Sequence, residues 1–312
     1  MPMPSAHAPP RLAALPVLLG LPLLLAACSV QKPPFAQLSG MLMDDRLNEV
    51  SGLAASRAHE DVLWMLDDGG HAPRLFAVGT RGQLLATFRV DGIANTDWED
   101  LSAFELDGRR YLLVADTGDN GGLRRSLQLH VFEEPAALDA QATGRALRPD
   151  WSIAFRWPDG ARDCEAVAVD PILGQVLLIS KKRTPPELFA VPLRPRDEEV
   201  QVAQRLGTLT GVPPPSAEEL RANARMARIR HQVTAADIAP DRGRIAVMTY
   251  NEVLLYRRGA RQNWAQALAG KPAVHELPWL PQAEALGWAQ GGRGLFATGE
   301  FAPAPLLYLN TD

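Results

Sequence analysis

The chain has 312 residues, with 32 Lys and Arg against 36 Asp and Glu, a formal net charge of −4 and 46% hydrophobic residues. A mild acidic excess argues against a nucleic-acid partner, and the apolar content is ample for a folded body. With only two cysteines, Cys28 and Cys164, a disulfide framework is excluded.

Residues 1–27 read as an address. Arg11 is the only charge before Cys28, and the apolar run from Leu12 to Ala27 is broken by Pro16 and Pro22. Such a run is too short and interrupted to span a bilayer and has the form of a secretory signal. Leu25-Ala26-Ala27-Cys28 resembles the lipobox of bacterial lipoproteins. The resemblance implies diacylation of Cys28 and attachment to the membrane of the cell envelope through that lipid. Ser29, rather than Asp, after the Cys implies sorting to the periplasmic face of the outer membrane. Residues 28–34 then serve as a tether, and 35–312 form the folded body. Without Arg11 the 32 basic residues become 31 against 36 acidic ones. Cys164 is left without an intrachain partner. Its neighbours Asp163 and Glu165 disfavour a thiolate, so it reads as a buried structural thiol.

From residue 35 onward one pattern recurs five times. Aligned on apolar positions, a first polar column reads Glu49, Asp97, Asp163, Gln232 and Gln282. A second, two residues on, reads Ser51, Glu99, Glu165, Thr234 and Glu284, and a third is apolar: Leu53, Leu101, Val167, Ala236 and Leu286. Along a strand, side chains alternate faces, so the three columns are expected to share one face. Each copy is followed by two further apolar runs, for example Val62 to Leu66 and Arg74 to Val78 in the first. Short strands at a fixed rhythm, punctuated by Gly, Pro and Asp, predict an all-β repeat array. The copies start at 49, 97, 163, 232 and 282, which gives intervals of 48, 66, 69 and 50 residues. A four-stranded blade takes about 40–50 residues, so two intervals carry insertions. The pattern predicts a five-bladed β-propeller, with six blades as the alternative if an insertion hides another. The fifth copy ends too early for a fourth strand, which the segment from Phe35 to Met43 is expected to supply.

Between the strands lie acidic turns. Asp67 and Asp116 each directly follow a second strand, and Asp119 lies in Thr117-Gly118-Asp119-Asn120. Turn chemistry accounts for such residues, while the matched register also suits a site. The third blade carries Lys181-Lys182-Arg183 at that place. After Pro213-Pro214-Pro215, Ser216-Ala217-Glu218-Glu219 matches a capping box, predicting a helical insertion over about residues 216–230. Its Arg221, Arg225 and Arg228 form a basic stripe that reads as a solvated face or as a cover over one mouth of the ring. No nucleophile elbow, Walker loop or His-Glu-x-x-His occurs.

Inner strands would bring Glu49, Asp97, Glu99, Asp163, Glu165 and Glu284 together around one axis. Like charges in a partly buried funnel hold protons or a cation, unless backbone N–H groups of neighbouring blades satisfy them. The all-oxygen set suits Ca²⁺ first and Mg²⁺ second. Glu49-Val50-Ser51-Gly52-Leu53-Ala54, Asp97-Trp98-Glu99-Asp100, Asp116-Thr117-Gly118-Asp119-Asn120 and Asp163-Cys164-Glu165-Ala166, with Val233-Thr234-Ala235-Ala236-Asp237 and Ala283-Glu284-Ala285, resemble a family of secreted bacterial propeller proteins. That family is itself loosely similar to phytase-like and senescence-marker/gluconolactonase propellers. The resemblance implies bound calcium and hydrolysis of phosphoesters or lactones. In that expectation Glu49, Glu99, Glu165, Glu284, Asp116 and Asp119 hold the metal, Asp97 or Asp163 is the general base, and Lys181 steadies an anionic small-molecule substrate. Gln232 and Gln282 depart from an all-acid first column. The competing expectation is a non-catalytic binding or assembly platform with a structural acidic ring.

Overall fold

The structure, a computed structural model, describes residues 1–2, 33–139, 142–195, 197 and 199–311. The chain divides into Met1–Pro33 and Pro34–Asp312. The signal segment and Cys28 lie outside the described residues. Among the described residues no helix is long and apolar enough to cross a membrane.

Leu- and Val-rich runs cut by Gly, Asp and Pro fold into strands in chain order. They are β1 (Ala36–Leu42), β2 (Val50–Ala55), β3 (Val62–Asp67), β4 (Arg74–Gly79), β5 (Leu84–Val90), β6 (Trp98–Leu106), β7 (Arg109–Asp116), β8 (Leu127–Glu133), β9 (Ala146–Leu147), β10 (Trp151–Arg156) and β11 (Ala166–Asp170). There follow β12 (Gln175–Ile179), β13 (Glu187–Pro192), β14 (Gln201–Val202), β15 (Gln204–Thr208), α1 (Ala217–Ile229), β16 (Val233–Ile238), β17 (Arg244–Thr249), β18 (Glu252–Arg257) and α2 (Trp264–Leu268). The last are β19 (Ala273–Glu276), β20 (Ala283–Trp288), β21 (Gly294–Gly299) and β22 (Ala304–Asn310). Five sheets result: β2-β3-β4-β5, β6-β7-β8-β10, β11-β12-β13-β15, β16-β17-β18-β19 and β20-β21-β22-β1. This is a five-bladed β-propeller. The segment before the first copy closes the fifth blade, with β1 antiparallel to β22. The two long intervals hold no sixth blade. Each returns a two-residue parallel strand to the outer edge of an earlier blade, β9 on β5 and β14 on β10, which shortens the exposed edges. The β6–β7 hairpin turns on Asp107-Gly108, both at positive φ (53° and 74°), as a two-residue primed turn requires.

One hydrophobic cluster fills each junction between blades. Trp64 and Phe88 meet Leu101 and Phe132 between the first and second, and Tyr111 and Phe155 meet Leu178 and Phe189 between the second and third. Tyr256 and Trp264 meet Leu188, Trp288 meets Met248, and Phe296 meets Leu53 and Phe76 to close the ring. Burial of each such side chain stabilises by about 1.5–3 kcal/mol. The inner strands β2, β6, β11, β16 and β20 contact one another in turn. Between them lies Asp100, fully buried, whose carboxylate accepts the N–H groups of Leu101 (2.8 Å), Val167 (2.8 Å) and Ala236 (3.4 Å). One acid thereby satisfies edge amides on the third and fourth blades. Helix α1 has both bonds of the capping box between Ser216 and Glu219, but it is broken at Asn223 (φ −159°, ψ 94°). The Asn223 carboxamide accepts the N–H of Met226 (3.1 Å) and so caps a second helical segment.

Candidate metal centre

The second polar column owes its direction to a repeated irregularity. In β2, β6, β16 and β20 the register skips one residue, from Val50 to Gly52, Trp98 to Asp100, Val233 to Ala235 and Ala283 to Ala285. The extra residues are Ser51, Glu99, Thr234 and Glu284. A bulge bends the strand and re-aims the side chain it carries. The straight alternation expected of the three columns is therefore interrupted, and the third column packs into the core between blades. Where the bulge residue is a hydroxyl it fastens blades: Ser51 Oγ donates to Trp98 O (2.8 Å) and Thr234 Oγ1 to Ala283 O (2.7 Å). A carboxylate has no proton to donate, so Glu99 and Glu284, with Glu165 just before β11, are left for other partners. Thr117 Oγ1, bonded to Cys164 O (2.7 Å), does the fastening between the second and third blades.

Among the described residues two groups of three carboxylates form. Single oxygens of Asp68, Asp97 and Glu99 lie within 4.8 Å of one another, and so do those of Glu99, Asp163 and Glu165. The groups differ in compensation. Glu165 is ion-paired with the buried Lys181, and Asp163 with Lys182 (2.8 Å). Asp163 also accepts the N–H of Asp119 (2.8 Å). By contrast, Glu99 is 4% exposed and has neither hydrogen bond nor ion pair among the described residues. Burial, and then the nearby Glu165, push its carboxyl well above the ordinary range. Burial raises Asp97 as well, and lifts Asp68 to about 6 with Asp97 and Glu284 adding to it. Glu165 is raised by burial although Lys181 opposes, and its Oε2 is buried without a hydrogen bond. Burial works against the Lys181 ammonium, but Glu165, Tyr250 and Glu284 outweigh it and hold the proton.

Glycines leave room beside this group. A Cβ on Gly118 would stand 2.1 Å from Glu99 Oε1 and 2.4 Å from Asp97 Cγ, and one on Gly69 would stand 2.5 Å from Asp97 Oδ1. Buried Glu99 and half-buried Asp97 have no hydrogen-bond donor on their carboxylates among the described residues, and half-buried Asp68 has only the Gly69 N–H. Such oxygens of one sign, with small residues at their backs, are a donor set for a hard cation. The residues present thus fit a Ca²⁺ or Mg²⁺ ion, with Asp68, Asp97 and Glu99 as the uncompensated ligands.

Several expected ligands fall outside both groups. Glu49 is partly exposed and stands 3.6 Å from His71 Nδ1. Asp116 is paired with Arg124 (2.6 Å), and Asp119 accepts the N–H groups of Leu123 (2.7 Å) and Arg124 (3.2 Å), so these two serve their own loop. Glu284 accepts the Tyr250 hydroxyl (2.5 Å) and faces Glu300, whose carboxyl is pushed up to about 10 by burial and by Glu284. Lys181 is spent on Glu165 rather than free for an anion. Asp97 and Asp163, expected as bases, sit inside the groups. Asp68 was not singled out by sequence, although Leu66-Asp67-Asp68 ends the second strand in the same register as Asp116. Cys164 is buried, and burial pushes its thiol up.

Fold and site together define a five-bladed propeller with a buried acidic cluster on its inner strands. No protein-family model and no curated protein sequence matches the chain. Among solved structures it is similar to the major Malassezia sympodialis allergen Mala s 1, at 11% identity over 89% of this chain and 96% of that one, with a TM-score of 0.53. It is also similar to a chain of a nidogen/laminin complex (11% identity, 81% and 73% covered, TM-score 0.42) and to U3-55K (13%, 84% and 67%, 0.38). At such identities the first likeness speaks for the fold alone.

Proposed function

We propose that this protein is an envelope-anchored lipoprotein, attached through Cys28, whose propeller binds a divalent cation, Ca²⁺ first and Mg²⁺ second, and uses it to hydrolyse an anionic ester. The observation that carries the cation is Glu99, a buried carboxylate without a donor beside two further acids. A buried charge left unpaired is costly, and a cation held by Asp68, Asp97 and Glu99 removes that cost. When bound, such an ion supplies Lewis-acid polarisation of an ester oxygen and lowers the pKa of a nearby water. Asp163, held by Lys182 and the Asp119 N–H, orients the third blade's side of the cluster. Lys181 neutralises Glu165 and keeps the cluster from excluding an anion. Calorimetric titration of chelator-treated protein with Ca²⁺ tests the reading: binding is expected in the wild type and lost in Glu99→Gln and Asp68→Asn, while exposed Glu105→Gln retains it. Calcium-dependent turnover of p-nitrophenyl phosphate or a lactone tests the chemistry.

The second reading, a non-catalytic platform, is favoured by the way other buried acids are used. Glu134 accepts Trp64 Nε1 (2.7 Å), and Asp237 accepts the N–H of Trp288 (2.8 Å), each fastening one blade to the next. Calcium binding without turnover of any ester would favour it.

A further inference from the structure

The cation reading leaves open what an ester would look like, and a cavity beside the acids bears on this. A cleft of 780 Å³ lies under α1, with Lys181 and Tyr250 in its wall. These two touch Glu165 and Glu284, so the cleft adjoins the acidic cluster. Its volume is in the range of small-molecule sites, roughly 300–1,000 Å³. The rest of the lining includes Lys182, Arg230 and polar Asn and Gln side chains, and two further features of it bear on the ligand. Arg225, from the basic stripe of α1, is exposed and enters no ion pair among the described residues. Met226, Trp279 and Phe301 present large apolar surfaces to the same space, at 51%, 85% and 50% exposure.

Such surfaces are costly to leave in water and of no use to a ligand that is polar all round. We propose, resting on the cation reading, that the substrate is a soluble phosphate monoester with an apolar alkyl or aryl body. Its head lies toward the cation and Arg225, and its body lies on Trp279 and Phe301. An all-polar polyphosphate would leave that wall unused. Without the cation the acids repel the head, so binding requires calcium. Each methylene buried is worth roughly fourfold in affinity, so hexyl phosphate is expected to bind on the order of tenfold or more tightly than inorganic phosphate.

Trp279 supplies its own readout: it is 85% exposed, whereas Trp64, Trp98, Trp264 and Trp288 are fully buried, Trp157 is buried, and Trp151 is only partly exposed, on β10 of the second blade. The full chain is titrated with hexyl phosphate, inorganic phosphate and neutral hexanol, each with Ca²⁺ and with chelator, while tryptophan emission is followed. A blue shift is expected with hexyl phosphate and Ca²⁺ only, lost in Trp279→Phe and weakened in Arg225→Gln, both exposed positions that leave the fold intact. Calcium binding with emission unmoved by hexyl phosphate would overturn the substrate class alone. So would equal responses to hexanol or inorganic phosphate, or equal binding in chelator. Absence of calcium binding by calorimetry would instead remove the cation reading beneath it.

Discussion

At the scale of single residues, the chain uses buried acids in two ways that side-chain chemistry separates. Asp100 accepts three backbone N–H groups, whereas Glu99, its neighbour, accepts none among the described residues. Asp100→Ala is therefore expected to cost about 2–4 kcal/mol, because it orphans buried amides on the second, third and fourth blades; denaturant unfolding would check this. Glu99→Gln keeps the shape and removes an uncompensated charge, so without calcium it should stabilise by on the order of 1 kcal/mol. The pH dependence has a definite sign. Burial raises Asp67 and Asp68 to about 6, above the ordinary carboxylate value, so the folded state holds their protons longer than the unfolded chain. Their contribution is fully present below the unfolded value and is lost as pH rises through about 6. In chelator the melting temperature should fall between about pH 4 and 6.5. Added Ca²⁺ should offset that fall near neutrality and do little when the acids are protonated. Thermal scans across pH with and without chelator would read both.

At the scale of elements, the ring depends on how β1 is locked in. Gly40 lies so close to the first blade that a Cβ would stand 2.1 Å from Arg81 O, and a Cβ on Gly82, at φ +89°, would stand 2.1 Å from Met41 O. Ser39 Oγ donates to Thr80 O (2.7 Å) across the same seam. Gly82→Ala should thus cost about 1–3 kcal/mol or more, through both strain and overpacking, as a loss of melting temperature. The strands, the five-fold count and the closing role of β1 were legible because apolar runs and turn residues are local signals. The bulges were not: a skipped residue is a property of pairing, and sequence alone shows only the polar residue it carries. For the same reason the sequence does not separate Asp68, which joins the acidic cluster, from Asp116 and Asp119, which pair within their own loop. Nothing local tells an acid that finds Arg124 and loop amides from one that finds only other acids. The break at Asn223 was hidden too, since the apolar spacing of Leu220, Ala224 and Ala227 runs straight through it.

At the scale of the whole molecule, five blades converge their inner strands on one acidic cluster, and lysines neutralise only one side of it. A divalent cation on the other side would complete the neutralisation. Thermal unfolding of the full chain near neutral pH, in chelator and then in excess Ca²⁺, tests this most directly. Saturation at about a hundred times the dissociation constant stabilises by about 2.7 kcal/mol, an upward shift of about 4–6 °C for a domain of this size. The expected result is that shift in the wild type and in Glu105→Gln, and its absence in Glu99→Gln. A melting temperature indifferent to both calcium and magnesium, or a shift that survives Glu99→Gln undiminished, would contradict it.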